Sequence, residues 1–170
     1  IYMGADGSIA SVYRKIHLFD VDLPDGTKLL ESETVEAGSE PVVAEAPFGT
    51  LGLSVCYDLR FPELYRRLVD AGAIALAIPA AFTLTTGKDH WHVLLRARAI
   101  EQQCYVLAAA QTGHHYGKRR SYGHALIADP WGTVLAECGE GEGVAVAEID
   151  PAYVKQVRAA VPSLAHRTLR

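Results

Sequence analysis

Thr50-Leu51-Gly52-Leu53-Ser54-Val55-Cys56-Tyr57-Asp58-Leu59-Arg60-Phe61-Pro62 holds the reading of this 170-residue chain. Residues 50–55 form a compact apolar strand, and the chain then turns at Cys56-Tyr57-Asp58. Pro62 suits the first position of a helix, where its missing N–H costs nothing, and Glu63 in the first turn favours the helix dipole. Leu64 and Leu68 fall on one helical face, and Gly72 is a natural stop. Residues 73–81 are almost continuously apolar, as expected of a strand covered on both faces. A longer helix is predicted over residues 89–104, with Asp89 as its cap, followed by a buried strand over 105–110. Strands alternating with helices give an α/β class.

Outward from this centre the pattern changes. His114-His115-Tyr116-Gly117-Lys118-Arg119-Arg120 reads as a polar loop. Residues 123–128, the turn Asp129-Pro130-Trp131-Gly132 and residues 133–137 read as strand, tight turn, strand. A second turn at Gly139-Glu140-Gly141-Glu142-Gly143 leads into a strand over 144–149, and Asp150-Pro151 caps a last helix over 152–160. Towards the start, Ile1-Tyr2-Met3 and a strand over 9–13 resemble half of a hairpin whose partner strand is cut away. Lys15 then lies in a strand-like run, and a long irregular stretch follows Pro24-Asp25-Gly26. No repeat or low-complexity linker interrupts the chain, so one domain is expected.

Composition excludes several classes. With 16 basic and 20 acidic residues the net charge is −4, which disfavours a nucleic-acid binder needing a basic stripe. No apolar run reaches the roughly 20 residues of a membrane helix. No basic-then-apolar leader is present. Three cysteines without CxxC spacing argue against a disulfide framework and fit a reducing cytoplasm. GxSxG, P-loop and GxGxxG motifs are absent.

Four residues invite chemistry, each with a plainer alternative. Cys56 sits at a strand-to-helix turn, where a rigid backbone can present a nucleophile beside N–H donors; most free cysteines are simply small buried hydrophobes. Lys15, if its strand is half buried, shares a face with Tyr13 and His17, or is a solvated strand end. Glu31 lies in a long loop of the kind that carries function, or is a solvated carboxylate near Glu33 and Glu36. Arg60, four residues after Cys56, can clamp a substrate carboxylate or pair on the surface with Asp58 or Glu63. His90 and His92, two apart on a helix, do not face one site, and His114-His115 reads as solvated loop rather than metal nest.

Together, Tyr13-Arg14-Lys15-Ile16-His17-Leu18-Phe19-Asp20, Glu31-Ser32, the stretch from Gly52 to Leu64, Arg96-Ala97-Arg98-Ala99-Ile100-Glu101, and Gly123 with Asp129-Pro130-Trp131-Gly132 resemble the nitrilase superfamily of carbon–nitrogen hydrolases, Nit branch. The resemblance implies an αββα sandwich, here incomplete at the N-terminus, that pairs into a homodimer or higher oligomer. It implies a Glu-Lys-Cys triad with Lys15 and Cys56 as lysine and nucleophile, Glu31 as a second, supporting glutamate, and an oxyanion site made by Lys15 and the Tyr57 N–H. The first glutamate, the general base, belongs to a family segment that this chain does not match. A small carboxylate-bearing amide is the implied substrate, foremost deaminated glutathione, held by Arg60, Phe82 and Thr86. An ω-amidase, an N-carbamoyl amidohydrolase and a silent interaction module are the alternatives. No cofactor or metal is implied.

Overall fold

A computed structural model describes residues 1–22, 26, 28–117 and 119–169. The elements run β1 (Tyr2–Met3), β2 (Ile9–Ser11), β3 (Asp20–Asp22), β4 (Lys28–Leu30), β5 (Val42–Ala46), β6 (Gly49–Leu53), α1 (Pro62–Asp70), β7 (Ala75–Ala77), α2 (Leu84–Gln102), β8 (Tyr105–Ala108), β9 (Thr112–His114), β10 (Arg120–Tyr122), β11 (Leu126–Ala128), β12 (Val134–Glu137) and α3 (Pro151–Ala160). Six strands form one mixed sheet in the order β12-β11-β8-β7-β6-β5. The pairs β6–β7 and β7–β8 are parallel, each joined through a helix, and the outer pairs are antiparallel. Three two-stranded hairpins, β1–β2, β3–β4 and β9–β10, stand apart.

Helix α1 packs on β6, α2 packs on β8 and β11, and the two helices touch. Gly52 makes this approach possible. A Cβ there would lie 2.9 Å from Leu76 Cδ2 and 3.0 Å from Leu68 Cβ. Leu64, Tyr65 and Leu68 of α1 and Trp91, Leu95 and Ala99 of α2 are buried on this side. The opposite face carries Ala77, Leu107 and Ile127, which are only half buried. The described residues therefore build one sheet with its helical cover from the expected αββα sandwich, and do not form the second sheet.

Several local expectations change. Helix α2 begins at Leu84, five residues before Asp89, which lies inside the helix. The Thr-Thr-Gly start has weak intrinsic propensity, but tertiary contacts override it. Thr83 O accepts the Gly87 N–H at 2.8 Å, and Tyr122 fills the space where a Gly87 side chain would stand. The apolar run 73–81 contributes regular strand only over Ala75–Ala77. The N-terminal residues find their partner within the chain, since Tyr2 and Met3 pair with β2. The run around Lys15 is not strand, because its polar groups are committed to a buried carboxylate described below. Residues 144–149 form no strand, and Val144 and Val146 stay 88% and 79% exposed; an apolar alternation without a sheet to bury it does not order as one. The Pro24-Asp25 turn and Lys118 lie outside the described residues. The turn at Asp129 holds as read, with Asp129 Oδ1 accepting the N–H groups of Trp131 and Thr133, both at 2.9 Å. Asp150 caps α3 through the Ala152 N–H at 2.7 Å.

Candidate active site

Cys56 opens a 3-10 turn, Cys56–Arg60, immediately beyond β6. Its φ is +52°, in the left-handed region that costs a residue with a side chain roughly 1–2 kcal/mol. The surroundings hold it there. Cys56 N–H donates to Pro79 O at 2.9 Å, and Ser54 N–H to Ala77 O at 3.1 Å, so the strand pairing with the β7 segment continues to the cysteine itself. From below, the Arg98 guanidinium, 4% exposed, donates twice to Leu59 O, at 2.8 and 3.1 Å.

The segment carrying Lys15 is tied to this elbow by Asp58, which is fully buried. Its Oδ2 accepts from Tyr13 OH at 2.8 Å and Val55 N–H at 2.9 Å. Its Oδ1 accepts from the His17 N–H at 3.0 Å and contacts His17 Nδ1 at 2.8 Å. A buried carboxylate is tolerated only when its lone pairs are filled; here four donors fill them. Asp58 thus grips the residues two before and two after Lys15. The His17 ring stacks on Phe61 at 3.7 Å, and Phe19 and Tyr57 meet at 4.8 Å, closing the seam between segment and elbow. Burial and the neighbouring Asp58 charge together raise the Tyr13 pKa well above its ordinary value, so its hydroxyl remains a donor. Sequence reading gave Asp58 only a surface ion pair; a carboxylate two residues past a buried strand's nucleophile is the signal that marks it.

Glu31 stands at the end of the β3–β4 hairpin. Its Oε2 accepts from Lys15 Nζ, and from the Phe19 N–H at 2.7 Å. Lys15, Glu31 and Cys56 share one cleft of about 810 Å³, whose wall also includes Phe19, Val55, Ala81, Thr83, Gln111, Tyr116 and Arg119. Burial pushes the Cys56 thiol pKa up, while the Lys15 charge and the Ala81 backbone N–H pull it back. Burial disfavours the thiolate and a nearby ammonium favours it, so this thiol needs a base to ionise at neutral pH. Among the described residues, Glu31 is the one carboxylate on the cleft wall.

The remaining expected residues lie elsewhere. Arg60 is not on the cleft wall: its guanidinium lies over the rings of Phe82 and Tyr57, 5.2 and 6.0 Å from their centroids, and both terminal nitrogens contact His90 Nδ1 at 3.3 Å. Phe82 is 4% exposed and packs on Trp91. Thr86 reaches the cleft only through Thr83, hydroxyl to hydroxyl at 2.7 Å. The cleft's second cation is Arg119, from the loop read as merely solvated; its Nη1 donates to Tyr116 OH at 3.0 Å. No periodicity in the sequence points this loop at Cys56. Outside the cleft wall, His92, His124 and Glu137 form the one group of metal-competent side chains among the described residues. Among the described residues, no helix is long and apolar enough to cross a membrane.

Residues 1–159 match the family model described as carbon–nitrogen hydrolase. The chain is 58% identical over 164 residues to the deaminated glutathione amidase of Synechocystis, covering 95% of this chain and 60% of that protein. It is 49% identical over 170 residues to the human deaminated glutathione amidase, covering 98% and 51%. The crystal structure of the Caenorhabditis elegans NitFhit protein superposes with a TM-score of 0.92 at 51% identity, covering 98% of this chain and 40% of that one. The chain therefore spans about half the length of the relatives it matches.

Proposed function

Because this chain belongs to the carbon–nitrogen hydrolase family, we propose that the protein containing it hydrolyses a small amide through a thioester on Cys56. The observation that carries the reading is the convergence of a strained cysteine elbow with a Lys15–Glu31 ion pair in one cleft. Once deprotonated, the Cys56 thiolate attacks the amide carbon, and the carbonyl electrons move to oxygen. The Lys15 ammonium and the Tyr57 N–H receive that oxyanion; the Cys56 N–H is already engaged with Pro79. Fixed donors aimed at the developing charge lower the barrier of such reactions more than any other single effect. Collapse expels the amine, which takes a proton from the general acid, and water then cleaves the thioester to an acid and restores the thiol. Glu31 holds the Lys15 side chain in place through their ion pair. The base is the family's other glutamate, supplied from outside these residues.

The substrate is deaminated glutathione, as the names of the two amidases suggest. Its carboxylate meets Arg119, the arginine on the cleft wall. Arg60, Phe82 and Thr86, the residues expected to bind it, are not among the residues of the cleft wall. Three free cysteines fit a reducing cytoplasm, and the family resemblance supports a homodimer, which sedimentation of the purified protein tests. A second reading has one observation in its favour: the one carboxylate that the described residues place on the cleft wall is already paired, so the 170 residues alone are silent toward amides.

Mass spectrometry of the protein quenched during turnover tests the mechanism. A thioester adduct on the Cys56 peptide, absent from Cys56→Ala together with all hydrolysis, is the expected result. Persisting turnover in Cys56→Ala removes the nucleophile assignment. Turnover of simple amides without deaminated glutathione hydrolysis removes only the substrate.

A further inference from the structure

On the sheet edge opposite β5, three chain segments bring imidazole and carboxylate side chains together. His92 projects from the middle of α2, His124 precedes β11, and Glu137 ends β12. Glu137 Oε1 is 2.7 Å from His92 Nε2 and 2.9 Å from His124 Nδ1. The three ligand atoms lie within 4.8 Å of one another, and each side chain keeps 20–34% exposure.

This arrangement is held in place. His124 has φ +57°, a conformation that costs a residue with a side chain energy and persists only when neighbours over-determine it. The neighbour here is Trp91, fully buried, whose indole N–H donates to His124 O at 2.8 Å. The His124 ring stacks on Tyr122 at 4.3 Å, and the His92 ring meets Tyr122 edge-on at 5.9 Å. Tyr122 is in turn seated against Gly87 of α2. Both imidazoles are thus aimed at one carboxylate oxygen by packing, and not by the chance of flexible surface rotamers.

We propose that His92, His124 and Glu137 form a site for a divalent transition-metal ion of the zinc class, with the remaining coordination open to water. Two neutral imidazole nitrogens and one carboxylate are a donor set that zinc accepts, at about 2.0–2.2 Å each, with a fourth position left for solvent. Tetrahedral donors at those bond lengths sit about 3.3 Å apart. The present contacts open to that spacing by small side-chain rotations. Each ring binds the ion as a neutral imidazole through the nitrogen now facing Oε1, with its one N–H proton on the other ring nitrogen; a ring that starts doubly protonated releases its extra proton to solvent. The bound ion then ties the middle of α2 to the β11–β12 edge of the sheet. The cleft of Cys56 takes no part.

Calorimetric titration of the thiol-alkylated protein with zinc chloride tests this, alkylation preventing Cys56 and Cys138 from competing. One equivalent binds, and the zinc-dependent rise in melting temperature accompanies it. Affinity falls at least about tenfold in His92→Gln, in Glu137→Gln and in His124→Asn, the last chosen because asparagine tolerates the left-handed backbone. Cobalt gives visible d–d bands without sulfur charge transfer. A readout on the unsubstituted protein keeps the test independent of variant folding: zinc protects His92 and His124, and not His90, from diethyl pyrocarbonate. Absence of saturable binding, equal affinity in the three variants, or unprotected His92 and His124 overturns the site and leaves a hydrogen-bonded cluster.

Discussion

Replacing Asp58 with alanine removes the acceptor that, among the described residues, joins the Lys15 segment to the Cys56 elbow. Four donors lose their partner. The two from His17 lie at a side chain 26% exposed, where water can substitute. Tyr13 OH and the Val55 N–H are in the core region, and each buried unsatisfied donor costs about 1–3 kcal/mol. Two at mid-range give about 4 kcal/mol, a large part of a domain's total stability of about 5–15 kcal/mol. For a chain of this size each kcal/mol moves the melting temperature by about 2–4 °C, so Asp58→Ala melts about 8–16 °C lower. Asp58→Asn is a finer probe. Its carbonyl still serves the His17 side; on the other side the Tyr13 hydroxyl can turn and accept from the new amide, while the Val55 N–H meets a donor. About half the loss, near 2 kcal/mol, is expected. Thermal melts followed by circular dichroism measure both variants. An Asp58→Ala protein melting with the parent, or an asparagine variant as damaged as the alanine one, refutes the idea that Asp58 is the acceptor holding the seam.

Three further outcomes follow from the same geometry. Lys15→Met removes the charge that opposes the burial effect on Cys56. The pH midpoint of Cys56 alkylation, followed on its own peptide, moves up, since a lost adjacent cation disfavours the thiolate; an unchanged or lower midpoint shows that Lys15 does not face the sulfur. Arg119→Ala lowers kcat/KM for carboxylate-bearing amides at least about tenfold and spares neutral ones, because a hydrogen bond to a charged group contributes about 1.5–3 kcal/mol. Arg60→Ala instead slows both substrate types alike and lowers the melting temperature, and the reverse pattern returns the clamp to Arg60. Gly87→Ala places a methyl 2.4 Å from Tyr122 Cβ, and overpacking of this kind costs about 1–3 kcal/mol; an unshifted melting temperature shows that α2 and β10 part easily.

What this sequence determines by itself is local. The strand into Cys56, Pro62 opening α1, Asp129 and Asp150 at their turns, and the family motifs are all set by neighbours a few residues away, through capping, fixed φ and periodicity. The grouping of Lys15, Glu31 and Cys56 was legible for the same reason, because each sits in its own short motif. Tertiary structure decides the rest. Helix α2 starts at Leu84 against its own propensity because Tyr122 docks on Gly87. Lys15 lies off any strand because Asp58, forty-odd residues later, takes the donors on both sides of it. Arg119 reaches the cleft while Arg60, beside the nucleophile in sequence, turns onto two aromatic rings. His92 finds His124 and Glu137 from three separate elements. Such contacts join residues far apart in the chain, and their free energy depends on a burial and an approach that no short window of sequence contains.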